Sequence, residues 1–114
     1  MTKPIAAIAD WHAHVYYDAA SKPRAEALRG ALEAAFPEAE YGRWHDRPVG
    51  PHPHWSYQVA FPASLFAAIV PWLALNRDGL TVFVHPNTGD DLADHRDHAI
   101  WMGSMPALDL SRFE

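Results

Sequence analysis

Residues 54–61, HWSYQVAF, place Trp55, Tyr57, Val59 and Phe61 on one side of the chain and His54, Ser56 and Gln58 on the other. A period of two with one apolar side is the pattern of a strand buried on one face only. The chain must therefore supply something apolar to cover that face. Residues 21–38, SKPRAEALRGALEAAFPE, supply it: Leu28, Ala31, Leu32, Ala35 and Phe36 recur at helical spacing. Ser21 is placed as the N-cap, Pro23 lies in the first turn, and Pro37 stops the helix.

The remaining segments complete the order. Residues 11–17, WHAHVYY, read as a first strand and residues 39–45 as a second, followed by a Pro- and Gly-rich loop, DRPVGPHP. Pro62 opens a second helix through residues 63–76, with Pro71 expected to kink or split it after Val70. Residues 77–79 make a turn and residues 80–86 a strand. The tail is expected to begin as an acidic loop or short helix and to end in a short added strand around residues 99–102. Strand, helix, strand, strand, helix, strand predicts an α+β fold, a ferredoxin-like sandwich in which two helices cover one face of a four-stranded antiparallel sheet, plus a C-terminal extension. No repeat or low-complexity linker divides the 114 residues, so the reading is a single domain spanning residues 1–114.

Charge and cysteine content narrow the chemistry. A formal charge of −5, with nine unclustered Lys and Arg, leaves no footprint for nucleic acid or an anionic membrane. No apolar run is long enough to span a bilayer, and the N-terminal apolar patch is too short for a signal peptide, so a cytoplasmic location is expected. With no cysteine, any metal must sit on nitrogen and oxygen ligands. The eight histidines thereby become the informative residues, and they are scattered at 12, 14, 45, 52, 54, 85, 95 and 98.

Parity sorts them. If Ala13, Val15, Tyr17, Leu80, Val82 and Val84 face the helices with the third-strand apolar set, the outer face collects His12, His14, Tyr16, His54, Ser56, Gln58, Thr81, Phe83 and His85. The expected spatial order of strands is fourth, first, third, second, with the first and third taken as parallel. On that arrangement His12, His14, His45, His52, His54 and His85 gather at one end of the outer face. Strands lie ~4.8 Å apart and alternate residues ~6.6 Å apart, so imidazoles from two or three strands can share an ion ~2.1 Å from each nitrogen. The bland alternative for any one of these histidines is a hydrogen-bonded surface residue. Asp90, Asp91, Asp94 and Asp97 read as a solvated acidic segment.

The strings WHAHVYYD, RWHDRPVGPHPHWSYQVAF, PWLALNRDGLTVFVHPNTGDDLADH and AIWMG resemble the DOPA 4,5-dioxygenase family of small fungal and bacterial proteins. The resemblance runs from Asp10 to about Gly103, carried by the motifs H-x-H-V-Y, G-P-H-P and V-H-P-x-T-G-D. It implies a ferredoxin-like fold and extradiol opening of a catechol ring by O₂ at a non-haem ferrous centre. The family's histidines fall on His12, His14, His52, His85 and His95. The expectations are that three of His12, His14, His52 and His85 hold Fe(II), a site another divalent metal such as Zn or Ni can occupy in a crystal. His95 is expected as general acid and base, and Arg43, Tyr16 and His54 as substrate-binding residues. A two-histidine, one-carboxylate site would draw on Asp10 or a tail aspartate, and that choice stays open. The partners implied are a small catechol and O₂, with a homodimer plausible for an exposed sheet. The alternative is a metal- or small-ligand-binding ferredoxin-like dimeric module without turnover.

Overall fold

The computed structural model describes all 114 residues. Its regular elements are β1 (Asp10–Tyr17), α1 (Lys22–Ala35), β2 (Glu40–Tyr41), β3 (Trp55–Phe61), α2 (Phe66–Asn76), β4 (Val82–Asn87), α3 (Asp91–Arg96) and β5 (Ile100–Met102), with three short 3₁₀ turns between and beyond them. The strands form one sheet in the order β2-β3-β1-β4-β5, with every pairing antiparallel. The architecture is α+β with three helices and five strands. The neighbour order of the first four strands is as expected, but the sheet has five strands, because β5 pairs Met102 with Val82 and Ile100 with Val84.

The expected parallel relation of β1 and β3 is wrong. Val15 lies opposite Tyr57 and Tyr17 opposite Trp55, an antiparallel register. The second strand is also shorter than residues 39–45. Only Glu40 and Tyr41 pair regularly, after which a single bridge joins His45 to Ser56. A segment bordered by Gly42 and the loop after Asp46 has too few branched side chains to hold a longer ladder.

The core lies between the sheet and the first two helices. Ala13, Val15, Tyr57, Val59, Val82 and Val84 pack against Leu28 and Leu32 of α1 and Ile69 and Leu73 of α2, all in one apolar cluster. Period two on the strands meets period 3.6 on the helices there. Ser21 stands at the start of α1 without capping it: its hydroxyl donates to Asp18 at 3.0 Å, and the Asp18 N–H donates to that hydroxyl at 2.9 Å. Pro71 does not split α2, which runs from Phe66 to Asn76 without a break. The ring removes the bond to the Ala67 carbonyl four residues back, but Ala67 and Pro71 are both exposed, so water can take that carbonyl. No helix is long and apolar enough to cross a membrane.

α3 and the C-terminal turn lie elsewhere. α3 packs on β4, and the turn Leu110–Phe113 packs on α3. They cover part of the sheet face that α1 and α2 leave free.

Candidate metal centre

On that second face β1 and β4 lay down a ladder of opposed pairs: Asp10 with Asn87, His12 with His85, His14 with Phe83. The two histidines of H-x-H point the same way because they are two residues apart, and the register sets His85 beside them. His12, His14 and His85 each offer one ring nitrogen, and those atoms all lie within 4.8 Å of one another. Nε2 of His14 and Nε2 of His85 are 3.0 Å apart. Two nitrogens each ~2.1 Å from a shared ion, at right angles to one another, would lie ~3.0 Å apart. The donor set therefore suits a first-row divalent cation. His85 is also oriented for the task, since its Nδ1–H donates to the Pro86 carbonyl at 2.9 Å and leaves Nε2 bare.

The electrostatics keep these rings neutral. His14 and His85 are 5% and 1% exposed. Burial, reinforced by the neighbouring imidazoles, holds the His14 pKa well below the ordinary histidine value. Burial pushes His85 down to about 3, against the opposing pull of the Pro86 carbonyl. His12, half-buried, is lowered by the same cause, with the Asp10 carboxylate acting in the other direction. Neutral imidazole is the form that binds metal, so the site is charge-ready near neutral pH. Asp10 is one rung away and accepts a hydrogen bond from Asn87 at 2.9 Å.

His52 is near this group but not part of it. In an antiparallel sheet the start of β3 lies beside the end of β1, so the strand alone would carry His52 away from His12. The Pro-rich loop before β3 brings it back over the face. Its ring centroid sits 4.2 Å from that of His14, and its Nδ1 is hydrogen-bonded to the Tyr16 hydroxyl at 2.7 Å. Burial lowers His52 to about 4 and raises Tyr16 above the ordinary tyrosine value, so both stay uncharged. His95, on α3, lies with its ring centroid 4.0 Å from that of His85. Its Nδ1–H donates to the Asp91 carbonyl at 2.7 Å. Five histidines, His12, His14, His52, His85 and His95, thus share one patch; β4 runs antiparallel to β1 as expected, whereas β3 runs opposite to its expected direction.

Other expected residues sit apart. His54 is exposed, beside Tyr16 with ring centroids 5.8 Å apart. Arg43 is exposed on the segment after β2, at the sheet edge away from β4. His45 is held in the bridge to Ser56, outside the metal-ligand group, so six histidines do not converge at one strand end.

Four residues had no assigned part. Phe83 and Trp101 stack at 4.3 Å to form an aromatic wall, and Phe113 of the C-terminal turn lies 4.4 Å from His95. Asp94, expected to be solvated, is fully buried and accepts from both the backbone N–H and the hydroxyl of Thr88, at 2.8 and 2.7 Å. That buckle ties α3, and His95 with it, to the end of β4. Gly89 in the connecting turn has φ +97°, a conformation that side chains oppose. The signal for the buckle lay in the T-G-D part of V-H-P-x-T-G-D, where a turn precedes a helix and folds it back.

A family model described as the Dopa 4,5-dioxygenase family matches residues 11–112. A DOPA 4,5-dioxygenase of Amanita muscaria is 35% identical over 112 residues, covering 91% of this chain and 49% of that protein. An uncharacterised 21.2 kDa protein of Botryotinia fuckeliana is 40% identical over 109 residues, covering 86% of this chain and 60% of that one. The chain thus spans about half to three-fifths of the length of these curated relatives. A crystal structure of a candidate dioxygenase from Nostoc punctiforme superposes with a TM-score of 0.95 at 48% identity, covering 97% of this chain and 96% of that one.

Proposed function

The chain belongs to the Dopa 4,5-dioxygenase family, and on that premise we propose that it is a non-haem Fe(II)-dependent extradiol dioxygenase acting on a catechol such as DOPA. The observation that carries the reading is the trio His12, His14 and His85, three neutral nitrogen donors gathered within 4.8 Å on a face otherwise walled by aromatic rings. In the reaction one ring carbon–carbon bond beside the hydroxyls breaks, and both atoms of O₂ enter the product, a muconic semialdehyde. The ring supplies all the electrons, so no external reductant is required. A bound ferrous ion supplies the redox chemistry that lets triplet dioxygen react with a closed-shell catecholate.

The protein's own groups have separate tasks in this reading. His12, His14 and His85 hold the metal. His52 is left out of the ligand set, because the nitrogens gathered within 4.8 Å of one another are those of His12, His14 and His85; its Nδ1, hydrogen-bonded to the Tyr16 hydroxyl, holds the ring beside His14. His95, with its Nδ1 hydrogen committed to Asp91, takes the catechol proton at Nε2 and returns it during ring opening. Phe83 and Trp101 exclude water beside the ring. The fold belongs to this reading as a ferredoxin-like sandwich with β5 and α3 added. It also includes a cytoplasmic homodimer paired through the open β5 edge, where Ile100 is exposed; light scattering coupled to gel filtration would return a monomer mass if that part is wrong.

Anaerobic reconstitution with ferrous salt, addition of DOPA, then admission of ¹⁸O₂ tests the activity. The expected result is a yellow ring-opened product carrying two labelled oxygens. Stoichiometric iron with no colour across a catechol panel would instead identify a binding module without turnover.

A further inference from the structure

Residues 103–114 follow β5, and none of them is buried. Their main chain makes one hydrogen bond to the rest of the protein, from the Asp109 N–H to the Pro51 carbonyl at 2.9 Å. Four residues further on, the Phe113 ring lies against His95 with centroids 4.4 Å apart. The segment is therefore fastened at two points, one next to His52 on the proline-rich loop and one on His95 of α3. Those two rings flank the metal centre, His52 at 4.2 Å from His14 and His95 at 4.0 Å from His85. Between loop and segment lies a cavity of about 420 Å³, lined by Pro48, Pro51 and His52 on one side and Leu108, Asp109 and Arg112 on the other. A single imidazole, that of His52, stands between this cavity and His14.

We propose that residues 103–114 are a gate over the metal centre, and that an aromatic substrate enters between them and residues 48–53 when the Asp109–Pro51 bond opens. His14, His52 and His85 are 5%, 8% and 1% exposed, too little for a ring to reach them without a movement. β1, β3 and β4 are held in continuous ladders, so the movement falls to the wall with few buried contacts and few backbone bonds. Gly103, at φ +91°, gives that wall a pivot directly after β5. Closing brings Phe113 back onto His95, so the proton-transferring ring is backed only while the cavity is shut. The inference rests on the dioxygenase reading for what passes the gate; the gate itself rests on the placing of His52.

The test locks the latch. The chain has no cysteine, so a Pro51→Cys/Asp109→Cys pair meets no competing thiol. Residues joined by a backbone hydrogen bond have Cα atoms within the ~4.4–6.8 Å that a disulfide spans. In the metal-free protein, diethyl pyrocarbonate acylates accessible imidazoles, read by peptide mass spectrometry, with the exposed His54 as internal reference. The oxidised pair should slow acylation of His52 about 10-fold relative to the reduced pair and leave His54 unchanged. A second measurement needs no variant: hydrogen exchange at the Asp109 amide of the unaltered protein should run about 100-fold faster than at the paired amides of β1. An Asp109 amide as protected as β1, or a His52 rate indifferent to the lock, would overturn the gate. If the pair fails to oxidise, the exchange measurement decides alone. With Fe(II) loaded and DOPA and O₂ supplied, the oxidised pair should form ring-opened product about 10-fold more slowly than the reduced pair. A lock-dependent His52 rate with no product in either form would sink the dioxygenase reading and leave the gate standing; product formed equally fast in both forms would do the reverse.

Discussion

The two faces of β1 and β4 are buried almost equally and built from opposite chemistry. Toward α1 and α2 stand Ala13, Val15 and Val84, all fully buried; one residue along, on the other side, stand His14 and His85, nearly as buried. On the helix face burial is itself the stabilising act, since apolar area leaves water. On the histidine face burial works against the side chains, whose polar nitrogens must each find a partner to avoid a penalty. They do find them: no buried side-chain nitrogen or oxygen is left without one. Core formation alone gives no reason to gather imidazoles there. One face holds the fold together, and the other uses the rigidity so provided to fix ring nitrogens in place.

That contrast can be broken by mutation. His85→Phe should cost at least 100-fold in affinity for Fe(II) or Zn(II), read by metal titration, while the metal-free protein keeps its unfolding midpoint or gains slightly, because an apolar ring replaces a buried polar one. Leu32→Ala on α1 should behave in the opposite way. The cost is about 3 kcal/mol of stability by urea unfolding, with the folded fraction binding metal at unchanged stoichiometry. A metal-free protein in which His85→Phe unfolds as readily as Leu32→Ala would erase the distinction between the faces.

Acid sharpens the same comparison. The pKa values of His52 and His85 are depressed in the folded protein to about 4 and about 3, whereas in the unfolded chain they titrate near the ordinary histidine value. Above that value both states are neutral and stability is complete. As the pH falls below it, the unfolded state gains protons that the folded state refuses, so stability declines by about 1.4 kcal/mol per unit for each such histidine. Urea midpoints of the metal-free protein should therefore drop between pH 7 and pH 5, and a His52→Phe/His85→Phe double variant should show a flatter profile. An unchanged slope in the double variant would assign the acid sensitivity to other groups. The smallest effect belongs to Tyr16→Phe, which removes one hydrogen bond to His52 at a cost of about 1 kcal/mol and should leave metal stoichiometry intact. Loss of metal in that variant would place His52 among the ligands.

The helix face was legible because period two and period 3.6 are written directly in side-chain type. Tyr57, Val59 and Phe61 need no partner to reveal which way they point. The histidine trio was legible for a narrower reason: H-x-H fixes two rings on one side, and β4 is antiparallel to β1 whichever way β3 runs, so His85 meets them under either arrangement. His52 reached the site by a route the strand pattern cannot show, a proline-rich loop that doubles back. Asp94 was misread because its neighbours are acidic and solvated; only the turn at Gly89 brings Thr88 round to satisfy it. The fifth strand was legible as the short added strand expected around residues 99–102; what three residues of alternation cannot show is that it extends the sheet by pairing with β4.

Nε2 of His14 and Nε2 of His85 stand 3.0 Å apart. Two neutral rings in such contact share a single hydrogen, and the hydrogen of His85 is already pinned on its far side by the Pro86 carbonyl. The shared one therefore belongs to His14. An arriving cation must evict it to the other edge of that ring, so loading is coupled to an internal relocation of a proton without any net release to solvent from this pair.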